Sequence, residues 1–212
     1  HRLDKKVIGV SFDGTGLGDD GNIWGSEFLV CDLAGYQRIS HLEYVQMPGG
    51  DKATLEPWRM AVSYLYSVFG KGLTGLNLPF LEGIDPASLE LVIQSIEKNI
   101  NCPLSSGAGR LFDAVSAMLE LCTVSKFHAE APMRLEAAVS TDVRESYPYN
   151  SGEVIGTAPI IEHIVKDIGG GTDTGLISAK FHNTVIEIIR DTVSGISHDH
   201  GINRIALSGG TF

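Results

Sequence analysis

Apolar residues cluster in short β-branched runs near both ends of the chain and recur at helical spacing between them. Lys6 to Phe12 predicts a buried strand that ends at Asp13 and a glycine cluster. Ile23 to Val30 and Arg38 to Met47 predict two more, separated by the turn signal around Leu33-Ala34-Gly35, so the chain opens with a three-strand meander. Leu55, Trp58, Val62, Leu65 and Phe69 then keep one helical face, with Pro57 suited to the first turn and Gly70 to the stop.

A second helix is expected after Asp85-Pro86, with Asp85 as N-cap and Leu89, Val92, Ile93, Ile96 and Ile100 on its buried face. A third runs from about Gly109 to Cys122 and buries Leu111, Val115, Met118 and Cys122. Glu130 to Val139 and Pro159 to Ile168 predict shorter helices, and Phe181, Val185, Ile188, Ile189, Val193 and Ile196 a long one. Arg204 to Leu207 is the last expected strand and runs into Ser208-Gly209-Gly210. A strand followed by a Gly-rich turn at both ends of a mixed α/β chain suggests an actin-like, two-lobed architecture with mixed sheets flanked by helices. The lobes are expected at residues 1–102 and 103–212.

Composition narrows the function classes. A 43% apolar content suits a globular core, and no apolar run approaches the roughly 20 residues that cross a bilayer. A soluble cytoplasmic chain without membrane contact is the expectation, because the N-terminus also lacks the layout of a secretion signal. The net charge of −10, with no basic patch, speaks against nucleic acid as a partner. Cys31, Cys102 and Cys122 are far apart and odd in number, which reads as small core residues.

The candidate chemistry sits in the glycine-rich turns. Gly16, Gly18 and Gly21 spell G-x-G-x-x-G, but the strand-like segment from Asn22 to Phe28 follows where a dinucleotide fold needs a helix. A strand-Asp13-Gly14-Thr15-Gly16-strand hairpin instead puts backbone N–H groups and a carboxylate at one tip, suited to phosphate held with a divalent metal. There Asp13 is the candidate ligand and Thr15 a hydroxyl contact, while an ordinary hairpin turn is the competing reading. Ser105 to Asp113 is a small-residue loop opening a helix, where Ser106 and Gly109 favour an anion and Asp113 is placed one turn along, within reach of ribose hydroxyls. The alternative is a serine N-cap with Asp113 as a solvated first-turn charge. Gly209 and Gly210 permit close backbone approach to a base or phosphate. Asp51 and Arg59 are suited to hold a planar carbamoyl or phosphate group between them, or merely to pair and fix a loop on a helix. His198-x-His200 has the spacing to chelate a metal but reads rather as a solvated helix end beside Gly201, and Ser11, Ser106 and Ser208 lack the context of a nucleophile elbow.

Taken in order, VIGVSFDGTGLGDDGNIWGSEF, MPGGDKATLEPWRMA, PLSSGAGRLFDAVSAML, ISAKFHNTV and IALSGGTF resemble the C-terminal part of HypF-type carbamoyltransferases across almost the whole chain. That resemblance implies the actin-like fold and a carbamoyl-adenylate made from ATP elsewhere in a larger protein. Its carbamoyl group would pass to the C-terminal cysteine of the partner HypE, as the precursor of the hydrogenase cyanide ligand. It also implies Asp13 as a metal ligand, Gly109 and Asp113 as adenosine contacts, and Gly209 and Gly210 along the nucleotide, beside the nucleotide contacts that the hairpin layout itself suggests for Gly14, Thr15 and Gly16. Magnesium is the implied companion of the nucleotide, with iron or zinc in the full-length protein.

The sequence departs from the family pattern in two respects. The family takes a pair of metal-binding histidines from before the first strand and a final aspartate from beyond S-G-G-x-F, and His1 matches neither histidine position. The isolated piece is therefore expected to bind iron or zinc weakly, and the 212 residues to be a fragment of a larger enzyme. Phe127-His128-Ala129-Glu130 stands where the family commonly has Tyr-Glu-Gly-Gln. Related alternatives are a tRNA threonylcarbamoyl transferase, another actin-like ATPase, or a non-catalytic module that docks HypE.

Overall fold

The computed structural model describes residues 5–211, and His1 lies outside them. Strands β1 (Val7–Leu17), β2 (Ile23–Cys31) and β3 (Tyr36–Leu42) form the expected antiparallel meander. In β1 the buried side chains are Ile8, Val10 and Phe12, alternating with partly exposed neighbours. The strand is thus covered on one face rather than buried on both, as antiparallel sheets allow. Phe12 packs edge-on against Phe28 of β2 at 5.5 Å between ring centroids.

The single strand expected over residues 38–47 is two. After Leu42 the chain leaves β2, and β4 (Val45–Gln46) pairs instead with β5 (Leu104–Ser105), which in turn pairs in parallel with the start of β2. Strand β6 (Val154–Ile155) pairs with β3, and β7 (Ile205–Ser208) lies parallel to β1. A division of the chain at residue 102 therefore cuts through this sheet: the 101–106 segment is not a linker, because it carries β5 between β4 and β2.

The helices follow the apolar spacing. Helices α1 (Lys52–Leu55) and α2 (Pro57–Phe69) replace one continuous element, Glu56 separating them; Pro57 starts α2 and Leu55 points to solvent. A 3₁₀ turn (Gly70–Gly75) and α3 (Pro79–Glu82) lead to α4 (Pro86–Glu97), where Asp85 caps by accepting from the Ser88 N–H at 2.9 Å. Ile100 lies past the end of α4 and is exposed, since Asn99 and Asn101 take left-handed backbone conformations. Helix α5 (Ala108–Met118) is buried along its whole length against α2, the sheet and α6 (Glu130–Ala137). It stops early because Glu120 has a positive φ. Helices α7 (Ala158–Gly169) and α8 (Thr174–His200) close the far side. Helix α8 ends on Gly201 in the left-handed conformation, with His198 and His200 in its last turn, where cationic side chains suit the helix dipole.

Candidate functional site

The Asp13-Gly14-Thr15 segment is not the hairpin tip that the spacing suggested. Strand β1 runs on through it to Leu17, and the turn is made by Gly18 to Asn22, closed by the Gly18 N–H to Asn22 carbonyl bond. The register shifts between Phe12, opposite Ser26, and Gly16, opposite Trp24. Asp13, Gly14 and Thr15 thus face the single residue Gly25 as a bulge, which turns their backbone out of the ladder. The turn beyond is fixed by Trp24: a Cβ on Gly18 would stand 2.1 Å from the indole Nε1. Burial alone would raise the Asp20 carboxyl, but hydrogen bonds from Tyr44, Asn22 and Trp24 bring it down to about 2.

The structure gathers the three glycine-rich turns on this bulge. A Cβ on Gly107 would stand 2.3 Å from the Gly14 carbonyl oxygen, and one on Gly109 would stand 2.9 Å from the Gly14 Cα. From the other side, a Cβ on Gly209, whose φ is +102°, would meet the Phe12 carbonyl oxygen at 1.9 Å, and Thr211 N–H donates to that same oxygen. Gly210 lies beside the Asp13 carboxylate, 3.5 Å from where its Cβ would be. So residues 12–14 are packed between the start of α5 and the turn after β7, and only glycine permits that approach. Gly25 completes the cluster. Its Cβ would be 2.6 Å from the Asp13 carbonyl oxygen and 2.8 Å from the Gly107 Cα.

Asp13 is exposed, and its Oδ1 accepts the Gly14 N–H at 2.7 Å; Thr15 is exposed as well. Ser106 is buried and donates to Glu27 Oε1 at 2.7 Å, while Ser105 Oγ accepts the Gly107 N–H at 3.1 Å. Glu27, only 3% exposed, also takes the Arg38 guanidinium at 2.9 Å. Arg38 in turn lies over the Trp24 ring at 4.0 Å. The Glu27 and Arg38 partners of Ser106, together with Gly25, Gly107 and Arg110, were not singled out from the sequence. The available signals were an acidic residue inside an apolar strand and a glycine in mid-strand.

Asp113 is not a solvated charge, and the α5 N-cap is Gly107 rather than a serine. Its side chain is buried and lies 2.7 Å from Arg110 Nη2. Burial pushes the carboxyl up to about 6, against the pull of Arg110. A direct ribose contact would require Arg110 to move aside. Nor do Asp51 and Arg59 pair with each other. The Arg59 Nε bonds Glu56 at 2.5 Å and its guanidinium lies over Trp58 at 4.8 Å, while Asp51 is exposed at the start of α1. Backbone bonds from Gly49 to Asn101 and from Met47 to Pro103 join their loop to the segment entering β5.

Among the described residues no three histidine, cysteine, aspartate or glutamate side chains are grouped to hold a metal. The described residues therefore do not build an iron or zinc shell. Asp13 alone suits a magnesium ion completed by phosphate oxygens and water. A cavity of about 640 Å³ lies apart from the three turns, between β3, the 149–153 loop and α8. Its Asp191 already binds Tyr149 and Arg190. Among the described residues no helix is long and apolar enough to cross a membrane.

A mixed sheet flanked by helices, with two glycine-rich turns meeting a bulge of β1 beside the Asp13 carboxylate, defines an actin-like α/β protein. The model of a family described as carbamoyltransferase, Kae1-like domain, second subdomain, matches residues 9–212. The chain belongs to the HypF carbamoyltransferase family. A carbamoyltransferase HypF homolog of Cupriavidus necator is 31% identical over 222 residues, covering 100% of this chain and 56% of its own length. Carbamoyltransferase HypF of Rhodobacter capsulatus is 34% identical over 210 residues, covering 98% of this chain and 27% of its own. A crystal structure of full-length HypF in the phosphate- and nucleotide-bound form matches with a TM-score of 0.91 at 36% identity, over 100% of this chain and 33% of that one. This chain therefore spans about half of the first relative's length and about a quarter of the second's.

Proposed function

We propose that this chain is the nucleotide-holding part of a carbamoyltransferase in hydrogenase maturation, passing a carbamoyl group from carbamoyl-adenylate to the C-terminal cysteine of HypE. The observation that carries the reading is the convergence of the β1 bulge, the start of α5 and the turn after β7 on residues 12–14. Backbone donors at a glycine bulge and at a helix N-terminus suit phosphate oxygens. Gly14, Thr15 and Gly16 would line the phosphates, Ser106 and Gly109 would set the start of α5 against them, and Gly209 and Gly210 would lie along the nucleoside. Asp13 would hold magnesium, which when bound neutralises phosphate charge. Asp113 lies one turn along α5 from Gly109 and would act on the nucleotide through Arg110, which it holds at 2.7 Å.

Asp51 and Arg59 would receive the carbamoyl end of the substrate. The Arg59 guanidinium is presented as a planar fork by Glu56 and Trp58, a shape that matches a carbamoyl or carboxylate group. The likeness to a HypF structure in a phosphate- and nucleotide-bound form supports the nucleotide part of this reading.

Calorimetric titration of ADP with magnesium into the full-length protein that carries this sequence tests the reading. Saturable binding is expected, weakened roughly tenfold by Thr15→Ala, the loss of one hydrogen bond at an exposed position. Absence of binding, or equal affinity in the variant, would remove the nucleotide role of this bulge.

A further inference from the structure

We infer that Arg110, held behind the Gly14 bulge by Asp113, is the cation that makes this site select phosphate-bearing ligands over neutral nucleosides. The inference rests on the nucleotide reading above and assigns a residue that reading leaves unused.

Arg110 stands in the first turn of α5, a helix buried along its whole length, and is itself 8% exposed. Its Nη2 lies 3.5 Å from the point where a side chain on Gly14 would begin, and its Cζ 4.0 Å from that point. Because residue 14 is glycine, no side chain intervenes between the guanidinium and the backbone that would face a phosphate. Asp113 Oδ2 lies 2.7 Å from the same Nη2. The contact forms no hydrogen bond at Asp113 Oδ2, and the buried Arg110 Nε has no hydrogen-bond partner either.

A buried ion pair with unmet hydrogen bonds is a poor stability device, since apolar residues of similar size commonly serve a core better. Its placement is what distinguishes it. The rest of the charge around the bulge is unfavourable to an anion: Asp13, Asp19 and Asp20 are exposed there, and the chain carries a net −10. The nearby Arg38 is already committed to Glu27, Tyr44 and Asp20. Arg110 therefore supplies positive potential at the bulge in a setting where low local polarisability makes a charge act strongly. Asp113 is its positioning residue.

The test titrates adenosine, ADP and inorganic pyrophosphate, each with magnesium, into the full-length protein and into three variants. Arg110→Gln is expected to weaken ADP and pyrophosphate by roughly ten- to a hundredfold while leaving adenosine unchanged. Arg110→Lys is expected to keep most of the ADP affinity, since charge is retained. Asp113→Asn removes the opposing charge and keeps an acceptor, so ADP is expected to bind at least as tightly as in the parent. A merely structural pair would lower ADP affinity in Asp113→Asn as in Arg110→Gln, or lower adenosine and ADP together, and either result would overturn the inference. Should Arg110→Gln not fold, the Lys and Asn variants carry the same contrast of sign. Arg110-dependent pyrophosphate binding without any adenosine binding would sink the nucleotide reading and leave the anion site standing. Equal ADP-to-adenosine ratios in parent and Arg110→Gln would do the reverse.

Discussion

Asp113 shows what a single residue's surroundings do to its chemistry. Desolvation raises its carboxyl from 3.8 to about 6, although Arg110 pulls the other way. A carboxyl raised by folding favours the protonated form in the folded chain, so its contribution to stability is full below 3.8 and is lost as pH rises through about 6. The interval corresponds to about 3 kcal/mol. Asp113→Asn, which cannot ionise, is therefore expected to gain on the parent by up to that amount as pH rises from about 3.8 to about 6, and to hold a constant lead above that. Urea midpoints of both proteins across this range check it. A constant difference between them would mean that the carboxyl titrates at its ordinary value and that the pair is solvated. The spacing from Gly109 placed Asp113 one turn along α5, correctly, but could not reveal its burial. That depends on α2 and α6 closing over α5, and neither contact is local in sequence.

At the scale of elements, the approach of β1 to α5 depends on a glycine in the middle of β2. Gly25→Ala would set a methyl group 2.6 Å from the Asp13 carbonyl oxygen and 2.8 Å from the Gly107 Cα, both backbone atoms that cannot swing away. The expected cost is about 2 kcal/mol, with the bulge displaced from the helix start. Gly9→Ala is the matched control in the same sheet, because its Cβ would meet the Cys31 Sγ at 3.4 Å and the Leu29 Cβ at 3.6 Å, both side-chain contacts near ordinary distance. Thermal unfolding of the two variants should separate them by about 4 to 8 °C. Equal melting would show that the bulge yields.

Elements defined by local rules were legible in the sequence. Pro57 and Asp85-Pro86 began helices where expected, and the meander appeared in order. Elements defined by distant partners were not. Strands β4, β5 and β6 are each two residues long and exist only because a neighbour from elsewhere in the chain supplies the ladder. The bulge at Asp13 was mistaken for a turn for the same reason. Its identity is set by register against β2, and a glycine-rich segment is compatible with both.

Those distant ladders also decide how the whole molecule holds together. Strand β7 is parallel to β1, β5 is parallel to β2, and β6 is parallel to β3, so each early strand takes a partner from after residue 102. Helix α5 lies against α2 and the sheet with every residue buried, which leaves the first half without its core cover and the second without a sheet. Parallel pairs and their crossovers bury apolar surface only when both parts are present. Cutting this chain after residue 102 is therefore expected to give two pieces that show no cooperative unfolding by circular dichroism when separate. Mixed or co-expressed, they are expected to recover a single transition. The intact chain should melt in one step, and ADP with magnesium at a hundred times its dissociation constant should stabilise it by about 2.7 kcal/mol. A cooperative transition in the isolated piece 103–212 would instead show that α5 to α8 form a core of their own, and that the division at residue 102 is a true lobe boundary despite the shared sheet.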